Sequence, residues 1–207
     1  MLAVQPPSTC RYSYMNDGLD ISQAGLDFIA RWEGCILKVY RDICGLKTVG
    51  VGHLVTKAED ARYPDGMAIT RDLAMQLLRS DAQQCVTAIR ANITQTLNQH
   101  QFDALCSFAF NCGVGVTKSS GVARAINAGA FHEVRAALLQ WSKCKINGVT
   151  QTNRGLYNRR LSEADLFERE CVSTPDVYPA FTADEQSIIQ AQLEESSKLG
   201  YSYAVLA

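Results

Sequence analysis

The sequence predicts an α+β fold, mainly helical, with one small β-rich insert near the start of the chain. Three observations carry that expectation. Apolar side chains recur at helical spacing through most of residues 21–171. Residues 38–56 instead gather β-branched residues broken by Gly45, Gly50 and Gly52. Residues 70–91 form one unbroken helical pattern, roughly 30 Å long at about 1.5 Å per residue, which is enough to join two lobes.

The elements follow in order. Ser22 is placed to cap a helix whose apolar positions include Leu26, Ile29 and Ala30, and Gly34 ends it. Glu33 therefore falls at a helix C-terminus, where the negative end of the macrodipole disfavours a charged carboxylate and favours its protonated form. The β-rich insert reads as a hairpin or meander that sets Asp42 and Thr48 opposite that helix end. Thr70 caps the long helix, on which Leu73, Leu77, Asp81, Cys85 and Ile89 lie about a turn apart. Next, "LNQHQFDALCSFAFNCGVG" reads as a core helix stopped by glycine, "GVARAINAG" and "AFHEVRAALLQWSKC" as two more helices, and "NRGLYNRRLSEADLFERE" as a final one with alternating charged faces. Pro175 and Pro179 then break the pattern. Beyond them "TADEQSIIQAQLEESS" offers a short acidic helix whose Ile188, Ile189 and Leu193 either pack on the body or dock on a partner.

Composition excludes several classes. With 207 residues, 47% hydrophobic and 20% charged at a net charge of −1, the chain has the make-up of a globular protein able to build a sizeable core. No apolar run approaches the roughly 18 residues of a membrane span, and the first twenty residues lack the basic start and apolar stretch of a secretory signal. No membrane insertion is expected. Charge is uneven: residues 172–207 sum to −4, residues 1–20 to −1 and residues 21–171 to +4. That mild basicity suits an anionic polymer but is too weak to indicate nucleic acid, and no nucleic-acid partner is expected. The eight cysteines include no Cys-x-x-Cys pair, and with three histidines zinc spacing is absent, so neither metal nor cofactor is expected. Disulfides in an oxidising compartment remain one reading of the even count. Buried free thiols, at Cys85 and Cys106 above all, are the other.

The chemistry concentrates in "RWEGCILKVYRDICGLKTVGVGHLV", residues 31–55. Hydrolysis of a glycosidic bond needs one carboxylic acid to protonate the leaving oxygen and one carboxylate to activate water or trap the cationic sugar. Their environments must differ enough to separate their protonation states. Glu33 at a helix end and Asp42 on a loop meet that requirement, and the Thr48 hydroxyl is placed to hold a water. Composition alone yields Glu, then Asp nine residues on and Thr fifteen residues on, about 0.03 times per chain, so context must decide.

That context resembles the phage-type lysozymes, glycoside hydrolase family 24. Their signature is Glu, eight residues, Asp or Cys, five residues, Thr, then Gly-x-Gly-His. Glu33, Asp42, Thr48, Gly50, Gly52 and His53 fit it. The resemblance continues through "QFDALCSFAFNCGVG", Trp141 and "GLYNRRLSEADLF", covering about residues 21–171.

It implies a lysozyme-like two-lobe fold: a small lobe over about 21–69, a connecting helix over about 70–91 and a helical lobe over about 92–171. Residues 1–20 and 172–207 would be extensions. It implies a muramidase that cleaves the β-1,4 bond between N-acetylmuramic acid and N-acetylglucosamine in peptidoglycan, with inversion. Glu33 would be the general acid, Asp42 the carboxylate activating water, and Thr48 its positioning partner. Leu54, Phe110 and Ser120 would line the cleft, although Phe110 also reads as a core residue. His53 would be structural, paired with Asp81, rather than catalytic, and Gly50 and Gly52 would serve backbone geometry. Arg159 and Arg160 would touch anionic wall peptides or form a helix-surface salt-bridge set with Glu163.

Cys35 and Cys44 each lie two residues from an acid. A disulfide between them would brace the site; a redox-sensitive pair or free thiols are the alternatives. The enzyme would be made in the cytoplasm and act in the periplasm or cell wall, as a phage lysis enzyme or as a delivered antibacterial toxin. The toxin would require a delivery machinery and a cognate inhibitor or immunity protein. A wall-binding or interaction protein reusing the fold is the alternative function.

Overall fold

The computed structural model describes residues 15–42, 44–146 and 149–169, so the expected acidic helix after Pro179 lies outside the described residues. The first helix, α1 (Gln23–Glu33), starts where Ser22 accepts the Gly25 amide and stops at Gly34, whose φ of 76° breaks the helical path. Three short antiparallel strands follow in the order β1 (Ile36–Arg41), β2 (Lys47–Gly50) and β3 (His53–Leu54). Tyr40 pairs with Thr48, and Thr48 in turn with Leu54. The long helix α2 (Arg71–Asn92) is capped by Thr70, whose side chain accepts the Leu73 amide.

Next comes α3 (Gln99–Cys112), a mostly buried rod with an Asn98/Gln101 capping box. It is followed by α4 (Val116–Ser119), α5 (Gly121–Asn127), α6 (Val134–Leu139) and α7 (Arg154–Phe167), and it packs against α1, α2, α4 and α7. The expected helix through "AFHEVRAALLQWSKC" is shorter than its pattern. Trp141 leaves helical geometry at φ −88°, ψ 24°, and Lys143 onward becomes β4 (Lys143–Ile146), which pairs with β5 (Val149–Thr152) as a hairpin.

Two cores divide the molecule, and the boundary differs from the sequence expectation. Val39, Val49, Val55, Tyr63, Ile69 and Ala74 form the small-lobe core. Leu26, Phe28, Ile29 and Trp32 of α1 instead join the larger core built on α2, α3 and α7. The physical reason is area: α1 buries an apolar face too wide for a three-stranded sheet to cover, and α3 covers it. Glu33 thus sits on a helix fixed in the helical lobe, at the point where the chain crosses to the small lobe.

Residues 15–20 are also part of the body. Asn16, 1% exposed, donates from Nδ2 to the carbonyls of Ile93 and Gln95 at 3.3 and 3.0 Å and accepts the Leu97 amide at 3.0 Å. Arg90 donates to the Leu19 carbonyl and Gln99 to that of Asp20. Asn16→Ala would leave three backbone groups, two of them buried, without this partner and should cost about 2 kcal/mol, read as a lower urea midpoint at unchanged slope.

Arg135 of α6 clamps Asp165 and Glu168 at the end of α7. The hydrogen bond from Arg135 holds the Glu168 carboxyl below the usual glutamate range. A depressed carboxyl stabilises the fold above its unfolded pKa, about 4.3, and loses that contribution as pH falls through the folded value. The pair is partly exposed, so the effect is small. Arg135→Met should melt slightly below wild type at neutral pH, and the difference in Tm should close in acid.

Candidate active site

Glu33 is the last residue of α1, and its side chain is 11% exposed. Nη1 of Arg159, from α7, donates to its Oε1 at 2.7 Å. The guanidinium supplies the positive partner that a helix C-terminus lacks, a contact that the position at a helix end does not announce. Among the described residues Oε2 has no partner.

Asp42 follows β1. Its Oδ1 accepts the amides of Cys44 and Leu46 at 2.9 and 2.8 Å, which folds the hairpin turn around the carboxylate. Its other oxygen has no partner among the described residues. Thr48 lies in the middle of the sheet, 5% exposed, with Oγ1 donating to the Leu46 carbonyl at 3.2 Å. One short turn therefore orients both Asp42 and Thr48, through the amide and the carbonyl of Leu46.

His53 bonds through Nδ1 to the Asp81 carboxylate at 2.9 Å, and Nε2 lies 3.5 Å from Glu59. Burial raises the Asp81 carboxyl, with the hydrogen bond and charge of His53 acting against it. This bridge ties β3 to the connecting helix. Gly50 and Gly52 hold φ of 67° and 73°, and a Cβ on Gly50 would press on Ala74 at 3.2 Å, where the sheet meets α2.

The three cleft-lining candidates separate. Leu54 is half exposed beside Thr48. Phe110 is partly buried against the large core. Ser120 is 4% exposed with its hydroxyl accepting the Ala123 amide, so it caps α5 instead of presenting a polar group to a cleft.

Cys35 and Cys44 are free thiols, and so are Cys85, Cys106, Cys112 and Cys144 among the described residues. The six-residue strand β1 separates the first two. At about 3.3 Å per residue that distance far exceeds the roughly 7 Å Cα limit of a disulfide. Cys35 packs between the two cores, whereas Cys44 sits exposed at the hairpin tip.

Arg159 and Arg160 also depart from expectation. They are 3% and 0% exposed, and Glu163 is 0% exposed. The pairing with Glu163 exists but lies in the interior, where Nε of Arg159 meets Oε1 of Glu163 at 3.3 Å and Nε of Arg160 meets Oε2 at 2.9 Å. Burial works against the charge of Arg159, but the carboxylates of Glu33 and Glu163 outweigh it and raise its pKa.

Two carboxylates, each with one oxygen held and one open, can perform acid–base hydrolysis. The sequence profile of phage lysozyme matches residues 30–163, the whole span from Glu33 to Glu163. This chain belongs to the phage lysozyme family. The endolysin of Acyrthosiphon pisum secondary endosymbiont phage 1 is 35% identical over 150 residues, covering 72% of this chain and 99% of that one. The endolysin of Salmonella phage P22 is 38% identical over 125 residues, 60% of this chain and 85% of that one. Among solved structures, the muramidase domain of SpmX from Asticaccaulis excentricus superposes with a TM-score of 0.65 at 33% identity, over 73% of this chain and 99% of that one.

The functional contact that sequence reasoning missed in this lysozyme is Arg159 on Glu33. A signal existed: Gly155, Arg159, Glu163 and Phe167 recur every four residues, and all four are buried. A strongly apolar residue and a glycine on the same stripe as an Arg and a Glu mark an inward-facing ion pair, not a surface one.

Proposed function

We propose that this phage lysozyme is an inverting muramidase in which Glu33 is the general acid and Asp42 the general base. As a lysozyme it is a glycoside hydrolase acting on peptidoglycan; the finer assignments are the β-1,4 bond after N-acetylmuramic acid and the role of each side chain. The observation that carries the reading is the half-held state of both carboxylates. Arg159 fixes one oxygen of Glu33 and the hairpin amides fix one oxygen of Asp42, which leaves Oε2 and Oδ2 for the reacting groups.

In the reaction Glu33 gives its proton to the glycosidic oxygen as the bond to the anomeric carbon breaks. Asp42 takes a proton from a water that attacks the opposite face, and Thr48 holds that water. Leu54, half exposed next to Thr48, offers an apolar contact for the C–H face of a sugar ring. The substrate is cell-wall peptidoglycan, reached after release or delivery across the inner membrane.

Incubation with purified peptidoglycan, borohydride reduction and mass spectrometry test this. New ends reduced at muramic acid are expected. Ends reduced at glucosamine, or wall binding with no new ends, would contradict it, the latter in favour of a non-catalytic binding module.

A further inference from the structure

We infer that Glu163 is a positioning residue that sets the protonation of Glu33 through Arg159, with Arg160 as its counterweight. This rests on the reading of Glu33 as the acid. The charge of a buried arginine bonded to an acid acts in full on that acid unless a second carboxylate draws on it. Glu163 is placed to do so. Its Oε1 meets Nε of Arg159 at 3.3 Å, while Nη1 of the same guanidinium holds Glu33 at 2.7 Å. One planar group thus bridges the two carboxylates.

Glu163 is itself fixed from two sides. Ser107 of α3 donates to Oε1 at 2.7 Å and Nη2 of Arg160 donates to it at 2.9 Å, while Nε of Arg160 lies 2.9 Å from Oε2 as an ion pair without hydrogen-bond alignment. Arg160 is anchored in turn by Asn111, by the Cys112 sulfur and by the face of Phe108, 5.1 Å from its guanidinium carbon. The four charges balance: Glu33 and Glu163 against Arg159 and Arg160.

Around Glu33, α1 carries Asp27 and Arg31, β1 and its flanks Cys35, Lys38, Tyr40, Arg41 and Asp42, α3 His100, Asp103, Cys106 and Cys112, and α7 Arg154, Tyr157, Arg159, Arg160, Glu163 and Asp165; of these, Arg159 lies within ion-pair distance of Glu33. Burial pushes the thiols of Cys35 and Cys112 up, so neither adds negative charge near neutral pH. Among the described residues the ion pair to Glu33 comes from Arg159, and Glu163 and Arg160 reach it through that guanidinium. Removing the Glu163 charge leaves two guanidiniums facing one carboxylate, and Glu33 surrenders its proton at lower pH. Removing the Arg160 charge acts in the opposite direction.

The test is the pH profile of the hydrolysis rate at saturating peptidoglycan, with thermal unfolding measured in parallel. Glu163→Gln should move the alkaline limb down by about one pH unit and Arg160→Gln should move it up by a similar amount. The double variant should return it towards wild type. A purely packing role would lower Tm and scale the rate without moving the limb. Because the singles shift in opposite directions, either one that folds decides the matter, and an unmoved limb in a folded single variant overturns the inference. Ser107→Ala keeps every charge and should leave the limb in place; a shifted limb there would also count against it. Glu33→Gln separates the two levels of the account. Full activity in that variant would remove Glu33 as the acid, whereas an inactive Glu33→Gln with unmoved limbs elsewhere would remove only the role of Glu163.

Discussion

Glu33→Gln should hydrolyse peptidoglycan about 10²–10⁴-fold more slowly than wild type while remaining folded, since that is the range general acid catalysis supplies. The amide preserves the side-chain shape and keeps an oxygen to accept from Arg159 Nη1. What it loses is the transferable proton. Truncation to Ala is a poorer probe, because it would leave Arg159 and Arg160 sharing the single carboxylate of Glu163 in the interior, where breaking a buried pair costs roughly 3–5 kcal/mol. The check is initial rates of turbidity loss on purified walls, alongside circular dichroism and Tm. A variant that retains wild-type rate would place the acid elsewhere.

Gly25→Ala should be strongly damaging. A Cβ there would lie 2.6 Å from both Cγ and Oδ1 of Asp103, a buried carboxylate with no room to retreat. Asp103 is held because it accepts the Ser22 amide at 3.0 Å, the Ser22 hydroxyl and the Gln99 side chain. Relief of the overlap must break those bonds or push α1 off α3. A cost of about 3 kcal/mol follows, or roughly 6–12 °C in Tm for a chain of this size. Activity should fall further than stability at permissive temperature, because α1 carries Glu33 at its far end. Gly121→Ala provides the contrast: its Cβ would meet Ala137 at an ordinary 3.8 Å, and Tm should change little.

Local features of this structure were legible in the sequence, and distant ones were not. Ser22 and Thr70 act on amides three residues ahead, so a short stretch of chain specifies them. The β insert, the long helix and the glycine stop after Cys112 likewise follow from spacing and turn residues. The pattern failed at Trp141. Helical periodicity continues through it, but tertiary packing against Phe108, with ring centroids 5.4 Å apart, coincides with a break that propensity does not announce.

At the site, Glu33, Asp42 and Thr48 are close enough in sequence to be read together. Arg159 stands 126 residues from Glu33, and charge alternation made its helix look solvent-facing. A buried ion-pair network is written with the same letters as a surface one. Only the coincidence of those charges with Gly155 and Phe167 on one stripe distinguishes them. The allocation of α1 to the helical lobe was hidden for a related reason: sequence order places it beside the sheet, while its apolar face belongs to α3.

The most direct test of the paired-carboxylate chemistry is the anomeric configuration of the first product, followed by proton NMR from the moment the wild type meets a soluble glycan strand. Water activated by Asp42 on the face opposite the leaving group predicts the α-anomer first, with the β form growing in only by mutarotation. The β-anomer appearing first would contradict it, because retention requires a covalent glycosyl intermediate and would make a carboxylate the nucleophile instead of the base.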